Sequence, residues 1–243
     1  MDVFTVVKLK GCIKMHSTSF NAMSLLLSKI SSSRKEARVL DVGSRIAEEG
    51  QASYKSIVQN LGWDYKGLDI EPGINVDIVC ESTYKFPLED NSIDLVISGQ
   101  VFEHVEFPWE AIKEIHRVLR ADGIAVIIAP SSGKEHRYPF DCYRYYPDGM
   151  KALGKWAGFS SIVARTNWDE TQIFGWGDTI GIFFKNENPQ IENSIFANIS
   201  NRDLYDTWEE YATARCSKSA VFISKKLAEA LLKPLHIWNN MFR

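Results

Sequence analysis

Two groups of residues in this chain have the types and spacing that chemistry needs. The first is Val39-Leu40-Asp41-Val42-Gly43-Ser44-Arg45, with a second acid, Asp69, in Gly67-Leu68-Asp69-Ile70-Glu71-Pro72-Gly73. An acid at the end of an apolar run, followed by a glycine, is the outline of a strand and a turn that lets backbone approach a ligand. The second group is the segment from His136 to Gly149, which gathers His136, Arg137, Tyr138, Asp141, Tyr143, Arg144 and Tyr145. Histidine near its ordinary pKa takes up a proton at neutral pH, so His136 is a candidate general base. Arg144 is a candidate clamp for a carboxylate or phosphate, and Tyr143 stands beside it.

The type of ligand at the first group follows from its charges. A dinucleotide fold wants glycine at three positions of G-x-G-x-x-G. Counting from Gly43, the second position is Arg45 and the third is Glu48, so one of three matches. Carboxylates at Asp41 and Glu48 would repel a pyrophosphate. They suit a ligand with a positive centre, and S-adenosylmethionine carries a sulfonium and an α-ammonium but no phosphate. An ordinary strand-to-helix turn without a ligand is the plain alternative. An NAD-dependent enzyme is disfavoured.

These residues need a scaffold, and the hydrophobic pattern supplies one. A hydroxyl cap at Ser17 or Thr18 precedes Phe20, Met23, Leu26, Leu27 and Ile30 at helical spacing. Strands are expected at 38–42, 65–70, 75–80, 93–98 and 124–129, the last almost wholly apolar, as at the centre of a parallel sheet. Helices are expected at 51–61 and at about 108–120, stopping at Asp122-Gly123. Alternating strands and helices argue for a doubly wound, mostly parallel α/β sheet. After Pro130 comes a polar, aromatic loop over 131–148, then a helix to about Gly158, and two strands near 160–165 and 177–185 that pair antiparallel at one edge. Residues 186–201 read as a loop, and 203–216 and 219–238 as helices. The domain reading is an N-terminal segment and helix (1–35), a core domain (36–186), and a C-terminal helical segment (187–243) that packs on the core or on a second subunit.

Composition narrows the rest. A net charge of −3 gives no general electrostatic reason to bind nucleic acid or acidic membranes. No apolar stretch reaches membrane-spanning length, and lysines interrupt the apolar N-terminus, so neither a membrane span nor a signal peptide is expected. The four cysteines, Cys12, Cys80, Cys142 and Cys216, have no C-x-x-C spacing. They read as reduced thiols of a cytoplasmic protein, with neither a metal site nor a disulfide framework.

With these pieces in order, the chain resembles the class I S-adenosylmethionine-dependent methyltransferases over roughly residues 36–186. VLDVGSR is similar to the family's first motif, YKGLDIEPG to its second, and PLEDNSIDLVISGQVFEHV with EIHRVLRADGIAVIIAPS to its fourth and fifth strands. A subgroup with DVGS, Ser-Tyr, GLDIEPG, SGQVFEH and HRYP-x-DC-x-R-x-YPDG is the nearer likeness. It implies a Rossmann-like sheet of seven strands with an antiparallel edge strand and a C-terminal helical extension. It implies S-adenosyl-L-methionine as cofactor, S-adenosyl-L-homocysteine as product, and an acceptor oxygen, hydroxyl or carboxylate, on a saccharide, natural product or peptide. A homodimer is compatible with it.

The resemblance also assigns residues. Asp41, Gly43, Ser44 and Arg45 belong at the methionine end, with Ser53 and Tyr54 just after. Asp69 holds the ribose hydroxyls, and Ile70 packs on the adenine. Glu81 and Ser82 lie near the adenine amine, and Ser98, Gly99 and Gln100 under the methyl group. His136, Tyr143 and Arg144 are the catalytic set, and no metal is expected. Glu103 and His104 read as structural. Arg45 departs from the usual glycine, and with it a second class stays open: a family member without catalysis that acts through a partner.

Overall fold

The strand β1 (Arg38–Val42) is buried at every position after Arg38, which is what a central parallel strand requires. The structure is a computed structural model, and it describes residues 17–46, 50–166 and 177–196. Around β1 stand β2 (Asp64–Asp69), β3 (Ile78–Val79), β4 (Ile93–Gly99), β5 (Leu119–Pro130), β6 (Ser161–Thr166) and β7 (Asp178–Phe184). They form one seven-stranded sheet in the order β3-β2-β1-β4-β5-β7-β6. β1 runs parallel to β2 and β4, and β4 runs parallel to β5. β7 runs antiparallel to both β5 and β6, which places the antiparallel element at that end of the sheet.

Successive strand residues point to opposite faces, so the sheet has two apolar layers. Leu40, Val42, Val96, Ala125 and Ile127 face one side with α3 (Pro108–Val118) and α4 (Pro147–Ala157). Val39, Leu95, Ile97, Val126 and Ile128 face the other with α1 (Ser17–Ser33), α2 (Lys55–Asn60) and α5 (Pro189–Phe196). α1 is an integral part of that second layer. Met23, Leu26, Leu27 and Ile30 are fully buried at helical spacing. Its first turn is tied down by Thr18 Oγ1 donating to Asp178 Oδ2 at 2.7 Å, and by a 2.7 Å hydrogen bond between the Ser19 and Tyr54 hydroxyls.

Three boundaries differ from the sequence expectation. α3 ends at Val118, because Leu119 turns extended and pairs with Ile93, so β5 begins five residues earlier than its apolar run. The third strand shrinks to two residues. The stretch read as a loop from 186 contains α5. Asn188 caps it: Asn188 Oδ1 accepts from the Ile191 amide at 3.2 Å, and Glu192 Oε1 accepts from the Asn188 amide at 3.1 Å. Pro189 fits the first helical position, where its missing N–H costs nothing. Ile191 and Ile195 then pack beside α1. The helices expected over 203–216 and 219–238 lie outside the described residues.

The α1 contact gives a measurable consequence. Leu27 is buried with no exposure, so Leu27→Ala removes a packed side chain and leaves a cavity. The expected loss is about 2–5 kcal/mol, read from the shift in urea midpoint at unchanged slope.

Candidate active site

The strand order reverses between β1 and β4, and the crevice beyond the carboxyl ends of such strands is where open α/β sheets hold ligands. Gly43 turns the chain there with φ of 78°, in the left-handed region. A Cβ at this position would collide with Val101. The Gly43 amide donates to the Leu68 carbonyl at 2.8 Å, so β1 and β2 end together. Asp69 closes β2, half-buried, and its Oδ2 accepts from the Arg45 amide at 3.1 Å while Oδ1 accepts from the Glu71 amide at 3.2 Å. Each oxygen keeps acceptor capacity toward the crevice. Ile70, next in sequence, is half exposed and offers an apolar surface.

The remaining members of the predicted cofactor set divide by depth. Asp41 is buried beneath the turn, where its Oδ2 accepts from the Tyr65 hydroxyl at 2.7 Å. Ser44 is buried too; its hydroxyl donates to the Asn75 carbonyl at 3.0 Å. Ser98 is wholly buried, and its hydroxyl donates to the Val42 carbonyl at 2.9 Å, so it joins β4 to β1 and does not line the crevice. Tyr54 lies in the core against Ser19, and a Cβ on Gly99 would collide with its ring. Ser53 is half-buried at the start of α2, with its carbonyl accepting from the Ser56 hydroxyl. Glu81 is exposed, and the Ser82 hydroxyl accepts from the Tyr84 amide. Gln100 has φ of 60° and donates its side-chain amide to Asp178 at 2.9 Å. Arg45 turns away from the turn: its guanidinium meets Glu71 at 3.1 Å and the Tyr138 hydroxyl at 2.5 Å.

Across the crevice, the ends of β4 and β5 bring together residues that are far apart in sequence. A 3₁₀ turn, Phe102–His104, follows β4, and the loop of His136 follows β5. Glu103 has no exposed surface. Its Oε1 lies 3.6 Å from His104 Nε2 and 3.9 Å from His136 Nε2, and neither of its oxygens has a hydrogen-bond partner among the described residues. Burial pushes the Glu103 carboxyl up to about 8, and burial lowers the His104 pKa. The two rings meet edge to face at 4.8 Å. His104 Nδ1 is 2.5 Å from the Phe140 carbonyl, and His136 Nδ1 is 3.6 Å from Asp141 Oδ2.

The other two residues of the predicted catalytic set serve this arrangement from behind. Arg144 forks onto Asp141, at 2.5 Å to Oδ1 and 2.9 Å to Oδ2, and donates to the Lys134 and Tyr143 carbonyls. Its hydrogen bonds to Asp141 hold that carboxyl down at about 2. Asp141 accepts in turn from the His136 amide at 2.6 Å. Arg144 therefore braces the loop, with its guanidinium engaged by Asp141 and the Lys134 and Tyr143 carbonyls. Tyr143 donates its hydroxyl to the Glu106 carbonyl at 2.9 Å, so it too is a loop anchor. Glu103 is the member of this cluster that the sequence reading set aside as structural. Its mark in the sequence is an acid adjoining a histidine directly after a strand.

The fold is a doubly wound α/β sheet with a crevice at its switch point, and comparison with known proteins narrows the class. Residues 49–127 match the methyltransferase-domain family model. A methyltransferase of Mycobacterium avium that is itself uncharacterized is 27% identical over 146 residues, 54% of this chain and 54% of the relative. One from Mycobacteroides abscessus is 31% identical over 116 residues, 40% and 43% of the two chains. The chain spans about half the length of the curated relatives it matches. Among solved structures, an S-adenosylmethionine-dependent methyltransferase from Archaeoglobus fulgidus superposes with a TM-score of 0.53 at 16% identity, covering 68% of this chain and 94% of that one. A phosphoethanolamine N-methyltransferase from Haemonchus contortus, in complex with phosphomonomethylethanolamine and S-adenosylhomocysteine, gives 0.53 at 14%, covering 69% and 53%. Over its α/β sheet the chain is similar to S-adenosylmethionine-dependent methyltransferases. The crevice fits that cofactor. Gly43 leaves room that a Cβ would fill, Asp69 offers acceptors for paired hydroxyls, and Ile70 offers an apolar face.

Asp41 supplies a test of the turn that is independent of ligand. Burial raises its carboxyl to about 7, with the Tyr65 hydrogen bond opposing and the charge of Asp69 reinforcing; Tyr54 also feels its charge. The folded state thus holds a proton that the unfolded chain releases near 3.8. Stability from this group is fully present below about pH 4 and is lost as pH rises to about 7. In Asp41→Asn that fall is absent. The variant's stability relative to the parent should therefore improve by on the order of 2–4 kcal/mol between pH 4 and pH 7.5, measured by urea unfolding at both.

Proposed function

We propose that this protein transfers a methyl group from S-adenosylmethionine to an acceptor oxygen, a hydroxyl or carboxylate of a saccharide, natural product or peptide. The observation that carries the reading is the pairing of two half-sites across one crevice. Asp69 and the Arg45 amide stand at the ends of β1 and β2, and Glu103, His104 and His136 stand at the ends of β4 and β5. The cofactor supplies an electrophilic methyl on a sulfonium. The chain's own residues then have three tasks: hold the ribose, bring the acceptor oxygen to roughly 3–3.5 Å from that methyl, and take the proton a hydroxyl must lose. Asp69 suits the first. His136, held through Asp141 by Arg144, suits the last.

Arg45 was the feature that favoured a family member without catalysis. Its backbone amide, which any residue has, makes the contact with Asp69, and its side chain is engaged with Glu71 and Tyr138. A large cation in the place of a glycine therefore leaves the crevice with the donor it needs.

Two variants test the reading. Asp69→Ala should weaken S-adenosylmethionine binding about a hundredfold in calorimetry, the loss of charge-assisted hydrogen bonds worth roughly 3 kcal/mol, with the fold intact by circular dichroism. Unchanged affinity would overturn the cofactor assignment. His136→Ala should keep cofactor affinity and lower turnover on a hydroxyl acceptor by roughly 10²–10⁴-fold in a labelled-methyl transfer assay across saccharides, peptides and small alcohols. Turnover that survives in His136→Ala, on a carboxylic acid alone, would move the assignment to a carboxylate, which needs no base.

A further inference from the structure

Glu103, His104 and His136 each offer a ligand atom, and these atoms all lie within 4.8 Å of one another. We infer that this triad binds a divalent transition-metal ion of the Zn²⁺, Co²⁺ or Fe²⁺ class. Ligand atoms bonded to one such ion at about 2.0–2.2 Å are separated by roughly 3–4 Å, depending on the angle. The two carboxylate–imidazole separations, 3.6 and 3.9 Å, already fall in that window. Two imidazoles and one carboxylate are a donor set that such ions favour over Mg²⁺ or Ca²⁺, and three protein ligands leave coordination positions open.

Three further observations point the same way. The first is Glu103 itself, a carboxyl with no exposed surface and no hydrogen-bond partner for either oxygen among the described residues. A buried carboxylate is costly unless it is paired, protonated or coordinating a metal. The second is the orientation of both rings. Each histidine turns Nε2 toward Glu103; His104 Nδ1 is within hydrogen-bond distance of the Phe140 carbonyl, and His136 Nδ1 faces Asp141 at 3.6 Å, an ion-pair separation longer than a hydrogen bond. Metal-ligating histidines make this outer contact almost always, because it fixes the tautomer that leaves Nε2 a lone pair. The third is the bracing of the acceptor loop. Arg144 fixes Asp141, Asp141 fixes the His136 backbone, and the Glu103 carbonyl accepts from the Cys142 amide at 2.6 Å and the Tyr143 amide at 3.2 Å. The loop that brings His136 is thereby pinned to the residue that carries the carboxylate.

The cluster sits at the crevice of the proposed methyl transfer. Val101, two residues before Glu103, is the side chain against Gly43, and Tyr138, the partner of Arg45, packs edge-on to His104 at 6.4 Å. Any role of the ion toward an acceptor oxygen rests on that reading; ion binding does not. With an ion bound, His136 would be a ligand and not the base; the ion would lower the pKa of an acceptor hydroxyl, whose proton would pass to solvent.

The test uses the full chain, stripped with a chelator and titrated with Co²⁺ followed by visible absorption, and with Zn²⁺ followed by calorimetry. One ion per chain is expected, with ligand-field bands of a mixed nitrogen–oxygen site. Glu103→Gln and His136→Ala should abolish the bands. Asp141→Asn should weaken Zn²⁺ binding by roughly 10–100-fold, the usual effect of removing an outer-shell partner. His116→Ala, on α3 and away from the cluster, should leave it unchanged. Glu103→Gln removes a buried charge and should stay folded, which circular dichroism checks. Binding by the parent no tighter than by a Glu103→Gln/His136→Ala double variant would overturn the inference and leave a protonated Glu103 among two histidines. Neither cofactor nor acceptor is present in these titrations. Their failure is therefore distinct from a failure of Asp69→Ala to lose S-adenosylmethionine.

Discussion

The burial of one carboxyl, Glu103, constrains the acceptor side of the crevice. With no exposed surface, it faces a desolvation cost of several kcal/mol as an ion. The residues packed around it are those that can meet that cost by a proton or a cation: His104 and His136 at its oxygens, and Arg144 further back. Its backbone is engaged as well. The Glu103 carbonyl takes two amides of the loop after β5, and Tyr145 donates its hydroxyl to the carbonyl of the preceding Phe102 at 3.0 Å. A loop of sixteen residues between β5 and α4 would otherwise carry a large ordering entropy. Here it is ordered by contacts to a single turn after β4.

That dependence explains why the half-sites differ in character. The β1–β2 half is made of backbone. The Gly43 and Ser44 amides go to Leu68, the Arg45 and Glu71 amides go to Asp69, and a reciprocal pair of bonds joins Ser44 and Asn75. Such a frame tolerates side-chain change, because the donors belong to every residue type. The β4–β5 half is made of side chains in series, Arg144 to Asp141 to His136, and each link has geometry only that residue provides. A bidentate arginine fork is not replaced by lysine. Cofactor binding should therefore be the more robust property, and acceptor chemistry the more fragile.

Much of this was legible in the sequence, and the reasons are local. The β1 turn announces itself by an acid and a glycine after an apolar run. Asp69 announces itself by its place before Glu71-Pro72-Gly73, and α1 by Met23, Leu26, Leu27 and Ile30. What escaped has equally definite causes. α5 was hidden because Pro189 looks like a breaker, although Asn188 with Glu192 is a capping pattern. Arg144 looked like a substrate clamp because nothing in the order of residues shows that Asp141, one helical turn's worth of sequence earlier, consumes its fork. Ser98 and Tyr54 looked like cleft residues, but strand alternation and α1 packing place them inside. The Glu103, His104 and His136 cluster joins the ends of two different strands, and only the parallel pairing of β4 with β5 makes those ends neighbours.

Arg45 shows how the two halves are kept in register. In a glycine-rich turn the backbone is free to approach a ligand but has nothing to hold the opposite wall. Here the side chain reaches out to Glu71 on the β2 side and to Tyr138 on the β5 loop, and Gly73 leaves the space through which it passes. Tyr138 in turn lies against His104. The crevice is thus bridged at its rim by Arg45–Tyr138 and at its floor by Val101 against Gly43, one contact polar and exposed, the other apolar. A rim hydrogen bond of this exposure contributes little to overall stability. Its effect is on the distance between the walls, because it ties the loop bearing His136 to the strand ends bearing Asp69. The departure from the glycine pattern is therefore a tie between the two walls of the crevice through one side chain.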